Sequence, residues 1–328
     1  MGGLKHVAEV ALAWVHYLYE RWVLLPVARV LPKRIAYVVA DIAGLIDAMI
    51  PAKAGRAAHA EARAFGGQRL GAFVFAARRL AGPRRDLVDL ARLRRLRDDP
   101  SRWRYVETGR EAVDELRAQG RAILVVSGHF RTAIDTAARV TLAPESINKG
   151  IRNPVPAATM SPYALRERLQ NTTAYGLSQL LIGETDRQLY PIVGRENMQD
   201  RLLEELSRPG GWARIQIDAI WDKPGAYERP FAGAVKRKFA LGAARIARLA
   251  QAPVVPFMVV ENPAGICQVV WGTPLEPPPI DDKAADVAFM DLLLDGLERD
   301  VGRYPLEYLH PIGGERRWNA ACERWESI

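Results

Sequence analysis

The chain has 328 residues, of which 49% are apolar and 26% are charged, and its formal net charge is +8. This length supports a full hydrophobic core, and the composition excludes disulfide-stabilised miniproteins, peptide modules and disordered chains. The positive charge favours an acidic partner, such as a membrane surface, a phosphorylated lipid, an acidic carrier protein or nucleic acid. Cys267 and Cys322 are far apart and lack metal-like spacing, which predicts a reducing compartment without a disulfide framework.

The first fifty residues are the most apolar part of the chain. Between Val7 and Leu31, charged residues and Pro26 interrupt the apolar run before about 20 residues accumulate, so we predict no spanning helix. Tryptophans and tyrosines beside charges favour an interfacial helix with its rings at headgroup depth. A core helix packed on the main domain would show the same pattern. The segment has no small-residue cleavage site after a short apolar core, so we do not predict a removable secretory signal peptide.

Three more segments have helical character before residue 105. The apolar stretch Ile35–Pro51 ends at a proline, and an Ala/Arg-rich segment follows it to about Leu80. In PRRDLVDLARLRRLRDDPSRWR, apolar residues recur at spacings of three and four while arginines fill the gaps. This pattern predicts an amphipathic basic helix, either with a solvated outer face or as a docking surface for an acidic carrier or lipid headgroups.

From Glu111 onward, helical and strand-like segments alternate. The helical segments lie in EAVDELRAQG, at about 132–140 and 163–169, and in NMQDRLLEELSRPGG, ALGAARIARLAQ and AFMDLLLDGLERDVGRY; the strands are RAILVVSG, WARIQID, PVVPFMVV and CQVVWG. This alternation predicts an α/β fold with a mixed, mostly parallel sheet covered by helices. We therefore expect N-terminal interfacial helices in residues 1–50 and an α/β domain in residues 51–328.

Two chemistry-bearing residues lie just beyond predicted strands, where ligands gather in parallel sheets. His129 follows RAILVVSG, and Asp218 ends WARIQID. A neutral imidazole removes a proton from a hydroxyl best when a carboxylate holds its other nitrogen. Gly128 lets the backbone approach a ligand closely. From the residues alone, His129 is either a general base or a structural histidine of the loop.

The stretch GREAVDELRAQGRAILVVSGHF, followed shortly by an acidic residue, resembles the bacterial lipid A secondary acyltransferases. These are the lauroyl and myristoyl transferases of the wider lysophospholipid acyltransferase superfamily. Five further segments agree with the family in order along the chain: IRNP, WARIQID, PFAG, ALGAARIARLAQAPVVPF and RYPLEYLH. The resemblance covers about Leu31 to His310.

The resemblance implies an acyltransferase of lipid biosynthesis at the cytoplasmic face of a bacterial inner membrane. A fatty acyl chain would pass from a thioester donor, acyl carrier protein or CoA, to a hydroxyl of a lipid or glycolipid, with a His and an acidic residue in an H-x4-D/E motif. We expect no metal or redox cofactor, an anionic membrane surface as a partner, and no nucleic acid because a recognised binding motif is lacking. The alternative is a noncatalytic acyl- or lipid-binding relative that has lost the motif.

The chain departs from this motif, because it reads H-x5-D from His129 to Asp135. Residues six apart on an unbroken helix differ by about 240° and face apart. A histidine that still lies in the loop before the helix is not bound by this constraint. Asp135 and Asp218 therefore both stay candidate partners of His129. Ala219 replaces the glutamine that the family usually has after this aspartate, which affects the acceptor contacts.

Four further residues are implied in substrate binding by the resemblance. Arg152 matches the family arginine that is thought to hold an anionic group, and a guanidinium suits phosphate through paired hydrogen bonds. Arg131 replaces a usual glycine and is expected to narrow the site or contact phosphate. Phe231 and Gly233 of PFAG are expected in the site wall, although a plain turn with an aromatic anchor would show the same residues.

Overall fold

The structure is a computed structural model that describes residues 11, 14–16, 18–50, 53–66, 69–98, 105–131, 198–219, 226–262 and 265–328. The N-terminal part is helical. A π-helical turn, Glu20–Leu24, continues into α1 (Leu25–Val30), followed by α2 (Lys33–Met49), α3 (Lys53–Arg63) and α4 (Arg69–Asp98). Pro26 is the second residue of α1 and follows the π-helical turn directly.

We predicted the Ala/Arg-rich segment and the basic helix separately. The end of the first and the beginning of the second form one helix, α4, which runs through Pro83. Its second half does not present a wholly solvated outer face, because five of the seven residues from Arg84 to Leu90 have buried apolar or acidic side chains and Arg84 is itself buried. Leu87, Val88 and Leu90 belong to the hydrophobic core.

A five-stranded sheet forms the centre of the α/β part, with the strand order β1-β7-β6-β2-β3. All neighbouring strands are parallel except β6 and β7. The prediction of a mixed, mostly parallel sheet with helices is thus confirmed. The elements are β1 (Tyr105–Thr108), α5 (Arg110–Ala118), β2 (Ile123–Ser127), α6 (Met198–Leu206), β3 (Trp212–Gln216), α7 (Gly242–Ala250), β6 (Val254–Glu261), β7 (Cys267–Trp271) and α8 (Ala285–Arg303).

Two antiparallel hairpins that the sequence analysis did not predict complete the described elements. The first joins β4 (Tyr227–Phe231) to β5 (Ala234–Phe239), and the second joins β8 (Arg316–Asn319) to β9 (Arg324–Ser327).

Helices bury both faces of the sheet. Successive side chains of a strand point to opposite faces, so Leu124 and Val126 of β2 pack in a core with α6, α7 and α8, whereas Ile123 and Val125 pack in a second core. That second core also contains apolar residues of the N-terminal helices: Leu24, Leu25, Ala28, Ala36 and Ala40. The division that we predicted at residue 50 does not coincide with a separation of hydrophobic cores.

Helix α2 has an unusual distribution of apolar side chains. Its buried face is a stripe of small residues, Ala36, Ala40, Gly44 and Ala48. A Cβ at Gly44 would lie 2.4 Å from the carbonyl oxygen of Ala77, so this stripe allows α4 to approach closely. The opposite face exposes large apolar residues: Ile35, Val38, Ile42, Leu45, Ile46 and Met49.

The first apolar segment has both buried and exposed apolar side chains. Leu24 and Leu25 are in the core, while Trp22 and Val30 are exposed to solvent. Among the described residues, no helix is both long enough and apolar enough to span a bilayer.

Candidate active site

The ends of two adjacent parallel strands bring the predicted site residues together. Strands β2 and β3 pair with Ser127 opposite Gln216, and the amide of Ile217 donates to the carbonyl of Ser127 at 3.0 Å. His129 and Asp218 each come two residues after these paired positions. Because the carboxyl ends of parallel strands meet at the same edge of a sheet, the two side chains lie side by side.

Asp218 accepts two hydrogen bonds from His129. Its Oδ1 lies 2.6 Å from Nδ1 of the imidazole, and its Oδ2 accepts from the backbone N–H of His129 at 2.8 Å. The carboxylate is fully buried, whereas 28% of the His129 side chain is exposed. A carboxylate in this place holds the proton on Nδ1 and leaves the lone pair on Nε2.

The environment of Asp218 keeps it ionised. Burial alone would raise its pKa, but hydrogen bonds from the ring and backbone of His129 and the nearby imidazoles of His129 and His310 lower it, and the pKa is below its ordinary value. Asp218 is therefore a carboxylate at neutral pH and can stabilise a positively charged imidazole.

Gly128 allows this arrangement. A Cβ at this position would lie 2.5 Å from Cδ1 of Leu297 and 3.3 Å from Oδ2 of Asp218. We expected the glycine to give room to a ligand. In the structure, Leu297 of α8 and the carboxylate of Asp218 occupy this space instead.

A C-terminal segment also reaches the site, by pairing with the residues around His129. The amide of Leu309 donates to the carbonyl of His129 at 2.7 Å, and the amide of Arg131 donates to the carbonyl of Glu307 at 3.1 Å. This pairing places the ring of His310 edge-on to that of His129, with 4.2 Å between the ring centroids.

Tyr308 and His310 were not among the site residues that we predicted from the sequence. Both lie in RYPLEYLH, one of the segments that carry the resemblance, so that segment was the available signal. The main chain of this segment is held from helix α4, because Arg79 donates to the carbonyl oxygens of Tyr308 and His310, the latter at 2.5 Å.

His310 and Tyr308 are both uncharged at neutral pH. Burial lowers the pKa of His310 to about 4, helped by the nearby His129, Arg237 and Arg79 and opposed by Asp218. Burial, the negative charge of Asp218 and a hydrogen bond to it raise the pKa of the Tyr308 phenol well above its ordinary value.

Arg131 is not placed to contact a phosphate in the site, contrary to our expectation. Its side chain is only 2% exposed, and it contacts residues of α2 and α4. Its guanidinium donates to the hydroxyl of Tyr37, and four buried or half-buried carboxylates surround it: Asp86, Asp89, Glu261 and Glu307. Lys33 pairs with two of these carboxylates, Asp89 and Glu261, so Arg131 belongs to a buried network of charges.

Phe231 and Gly233 form a turn with an aromatic anchor rather than an open site wall. The ring of Phe231 is fully buried and packs edge-on against Phe239 at 5.1 Å. Gly233 has φ of +79°, and a Cβ there would lie 2.1 Å from the carbonyl oxygen of Gly313. A side chain is therefore excluded at Gly233 by both backbone conformation and space.

Two predicted site residues, Asp135 and Arg152, lie outside the described residues. The helices that we predicted at about 132–140 and 163–169 also lie there.

No protein-family model and no curated protein matches this chain. The geometry around His129 is therefore the basis for a functional assignment.

Proposed function

We propose that the protein is an acyltransferase that moves a fatty acyl chain from a thioester to a hydroxyl. The observation that carries this proposal is the hydrogen bond between Nδ1 of the partly exposed His129 and the buried carboxylate of Asp218, 2.6 Å long, at the carboxyl edge of the sheet. A carboxylate that fixes the tautomer of an exposed imidazole is the arrangement that general-base catalysis on a hydroxyl requires.

In the proposed reaction, Nε2 of His129 takes the proton of the acceptor hydroxyl as the oxygen attacks the thioester carbonyl carbon. The new C–O bond forms a tetrahedral intermediate. The C–S bond then breaks, the acyl group stays on the acceptor, and the departing thiolate takes the proton from the imidazolium. Asp218 stays ionised throughout and stabilises the imidazolium between the two steps.

The resemblance supports the identity of the substrates. The donor would be acyl carrier protein or acyl-CoA as co-substrate, and the acceptor a membrane lipid or glycolipid, as in lipid A biosynthesis. No metal or redox cofactor takes part in this scheme. Arg152 keeps its proposed role in anion binding. Asp135 keeps its proposed role as an alternative partner of His129.

We further propose that the enzyme works on the cytoplasmic face of a bacterial inner membrane. The support is the face of α2 that exposes Ile35, Val38, Ile42, Ile46 and Met49 while small residues are buried beneath it. A helix lying in the membrane interface buries such a face among the acyl chains. The net charge of +8 would add attraction to anionic lipids.

The decisive experiment measures acyl transfer by the purified full chain and by His129→Ala, with acyl carrier protein and CoA donors and a panel of lipid hydroxyl acceptors. We expect transfer by the unmutated protein and a loss of about 100- to 10,000-fold in the variant, the usual cost of removing a general base. Matching circular dichroism spectra would show that the variant is folded.

Two results would overturn the proposal. Normal transfer by His129→Ala would exclude the histidine as the base. Binding of the acyl donor without turnover by the unmutated protein, across the whole panel, would favour a noncatalytic acyl- or lipid-binding relative.

A further inference from the structure

Three side chains converge at the carboxyl edge of the sheet with metal-binding chemistry. His129, Asp218 and His310 each offer one ligand atom, and these atoms lie within 4.8 Å of one another. This group is not recognisable in the sequence, because its members come from three distant segments of the chain. We propose that these residues bind a divalent transition metal ion of the Zn²⁺ type, and that the bound ion blocks the base function of His129.

The state of His310 is the second observation behind this proposal. Its Nε2 is buried and has no hydrogen-bond partner among the described residues. Leaving a buried polar atom without a partner is unfavourable, and such an atom in a native protein points to a role such as binding an ion. The ring lies 4.2 Å from that of His129, so the orphan nitrogen belongs to the same small region as the His129–Asp218 pair.

The donor set favours zinc over the alkaline-earth ions. Two imidazole nitrogens and one carboxylate oxygen suit Zn²⁺, which binds such ligands at about 2.0–2.2 Å in tetrahedral sites, whereas Ca²⁺ and Mg²⁺ prefer oxygen ligands alone. Three protein ligands leave a fourth position for water. Small side-chain rotations would bring the ligand atoms to the spacing of about 3.4 Å that tetrahedral geometry implies.

The surroundings orient the carboxylate for a metal. Oδ2 of Asp218 accepts from the backbone N–H of His129 at 2.8 Å, and Oδ1, the oxygen that faces Nδ1 of His129, would take the ion. Contacts of this kind beyond the ligands fix the direction of the ligand atoms and raise metal affinity. The ion would take the place of the proton between Nδ1 of His129 and Oδ1 of Asp218, which now lie 2.6 Å apart.

The bound metal would block the general base because the imidazole of His129 has only two nitrogens. A neutral ring carries one N–H and one lone pair. If the lone pair on Nδ1 binds the metal, the ring proton moves to Nε2, and Nε2 can no longer accept a proton from a hydroxyl. The metal site stands on its own geometry, but its inhibitory effect rests on the proposed function.

The binding test titrates the metal-free full chain with ZnCl₂ by isothermal calorimetry. We expect one ion per chain, and affinity lower by about tenfold or more in His310→Ala, because one of three ligands is lost. His59→Ala and Cys322→Ser are controls, since His59 bonds to the carbonyl of Ala48 and Cys322 is an exposed cysteine near the C-terminus. Equal affinity in the unmutated protein and His310→Ala would overturn the site.

The activity test compares each protein with itself, with and without ZnCl₂ at saturating concentration. We expect at least tenfold inhibition of the unmutated protein, reversal by a chelator, and a ratio near one for His310→Ala. A rate that rises with Zn²⁺, or inhibition that is the same in His310→Ala, would overturn the inhibitory role. If the protein transfers no acyl group at all, the proposed function fails, while the calorimetric titration still decides the metal site.

Discussion

The carboxylate of Asp218 holds His129 by two groups at once, the ring Nδ1 and the backbone N–H, at 2.6 and 2.8 Å. One contact sets the tautomer, and the other fixes the backbone from which the ring projects. Since Asp218 is wholly buried, water does not compete for either contact. The orientation of His129 therefore depends on a residue from the neighbouring strand rather than on its own helix or loop.

Asp218→Asn is expected to lower kcat by about 100- to 10,000-fold with little change in KM, because an amide no longer enforces the tautomer with a free Nε2 lone pair or stabilises the imidazolium. The measurement is steady-state acyl transfer. Asp291→Asn, which changes a half-exposed carboxylate paired with Arg229, is the matched control. A larger loss in Asp135→Asn than in Asp218→Asn would assign the orienting role to Asp135 instead.

Gly128→Ala is expected to reduce both stability and activity, because its methyl group would overlap Leu297 and crowd Asp218. Overpacking of this kind costs about 1–3 kcal/mol. Gly296→Ala provides a control of opposite sign. This residue lies inside α8, and a Cβ built there has no neighbour within 4 Å, so alanine should stabilise the helix by about 0.5–1 kcal/mol. Urea unfolding measures both, and an equal response of the two variants would contradict the packing interpretation.

Arg131→Met is expected to destabilise the protein by about 3–5 kcal/mol, because it leaves a group of buried carboxylates without their central cation. The matched control is Arg121→Met. Arg121 forms an exposed pair with Glu276, and such surface pairs contribute at most about 1 kcal/mol. A free energy of unfolding that changes equally in both variants would show that the buried network does not support the fold.

The double variant Val38→Glu/Ile42→Glu is expected to reduce cosedimentation with anionic vesicles, because it places two charges on the exposed apolar face of α2. Both positions are exposed, so the fold should tolerate the change. Leu292→Glu is the control, since this residue is 58% exposed on α8, away from the N-terminal helices. Deletion of residues up to Leu31 would not be a clean test, because it removes Leu24, Leu25 and Ala28 from the second core. Vesicle binding that survives the double variant would contradict the interfacial proposal.

Asp300→Asn is expected to stabilise the protein above pH 6. Burial raises the pKa of Asp300 to about 6, against the opposing effects of Arg303 and Arg299. The folded state therefore keeps the proton that the unfolded state loses near pH 4, and stability from this group falls as the pH rises from about 4 to 6. Removing the charge should add up to about 3 kcal/mol above that range.

The check on Asp300→Asn is urea unfolding of both proteins at pH 7.5 and at pH values approaching 4. The gain should shrink as the pH falls, because the native aspartate is then protonated in both states. A gain that does not depend on pH would assign the effect to something other than ionisation.

The larger pattern of the fold follows from local features of the sequence. Strand β2 is a short apolar run bounded by glycine, and α7 and α8 show helical spacing of apolar residues, so their positions were predicted from the sequence. Strand β1 and the two hairpins were not predicted. Their burial patterns are mixed, because they lie at an edge or outside the main sheet, and the sequence therefore gives little periodic signal.

The sequence by itself determined that His129 and Asp218 each follow a strand. Only the tertiary structure decided that these strands are neighbours, and that RYPLEYLH returns beside His129 to bring in His310. The tertiary structure also decided that Arg131 is buried and pairs with carboxylates of the protein itself. The physical reason is that periodicity and turn residues act over a few positions, whereas strand order and ion pairing depend on which distant segments share a core.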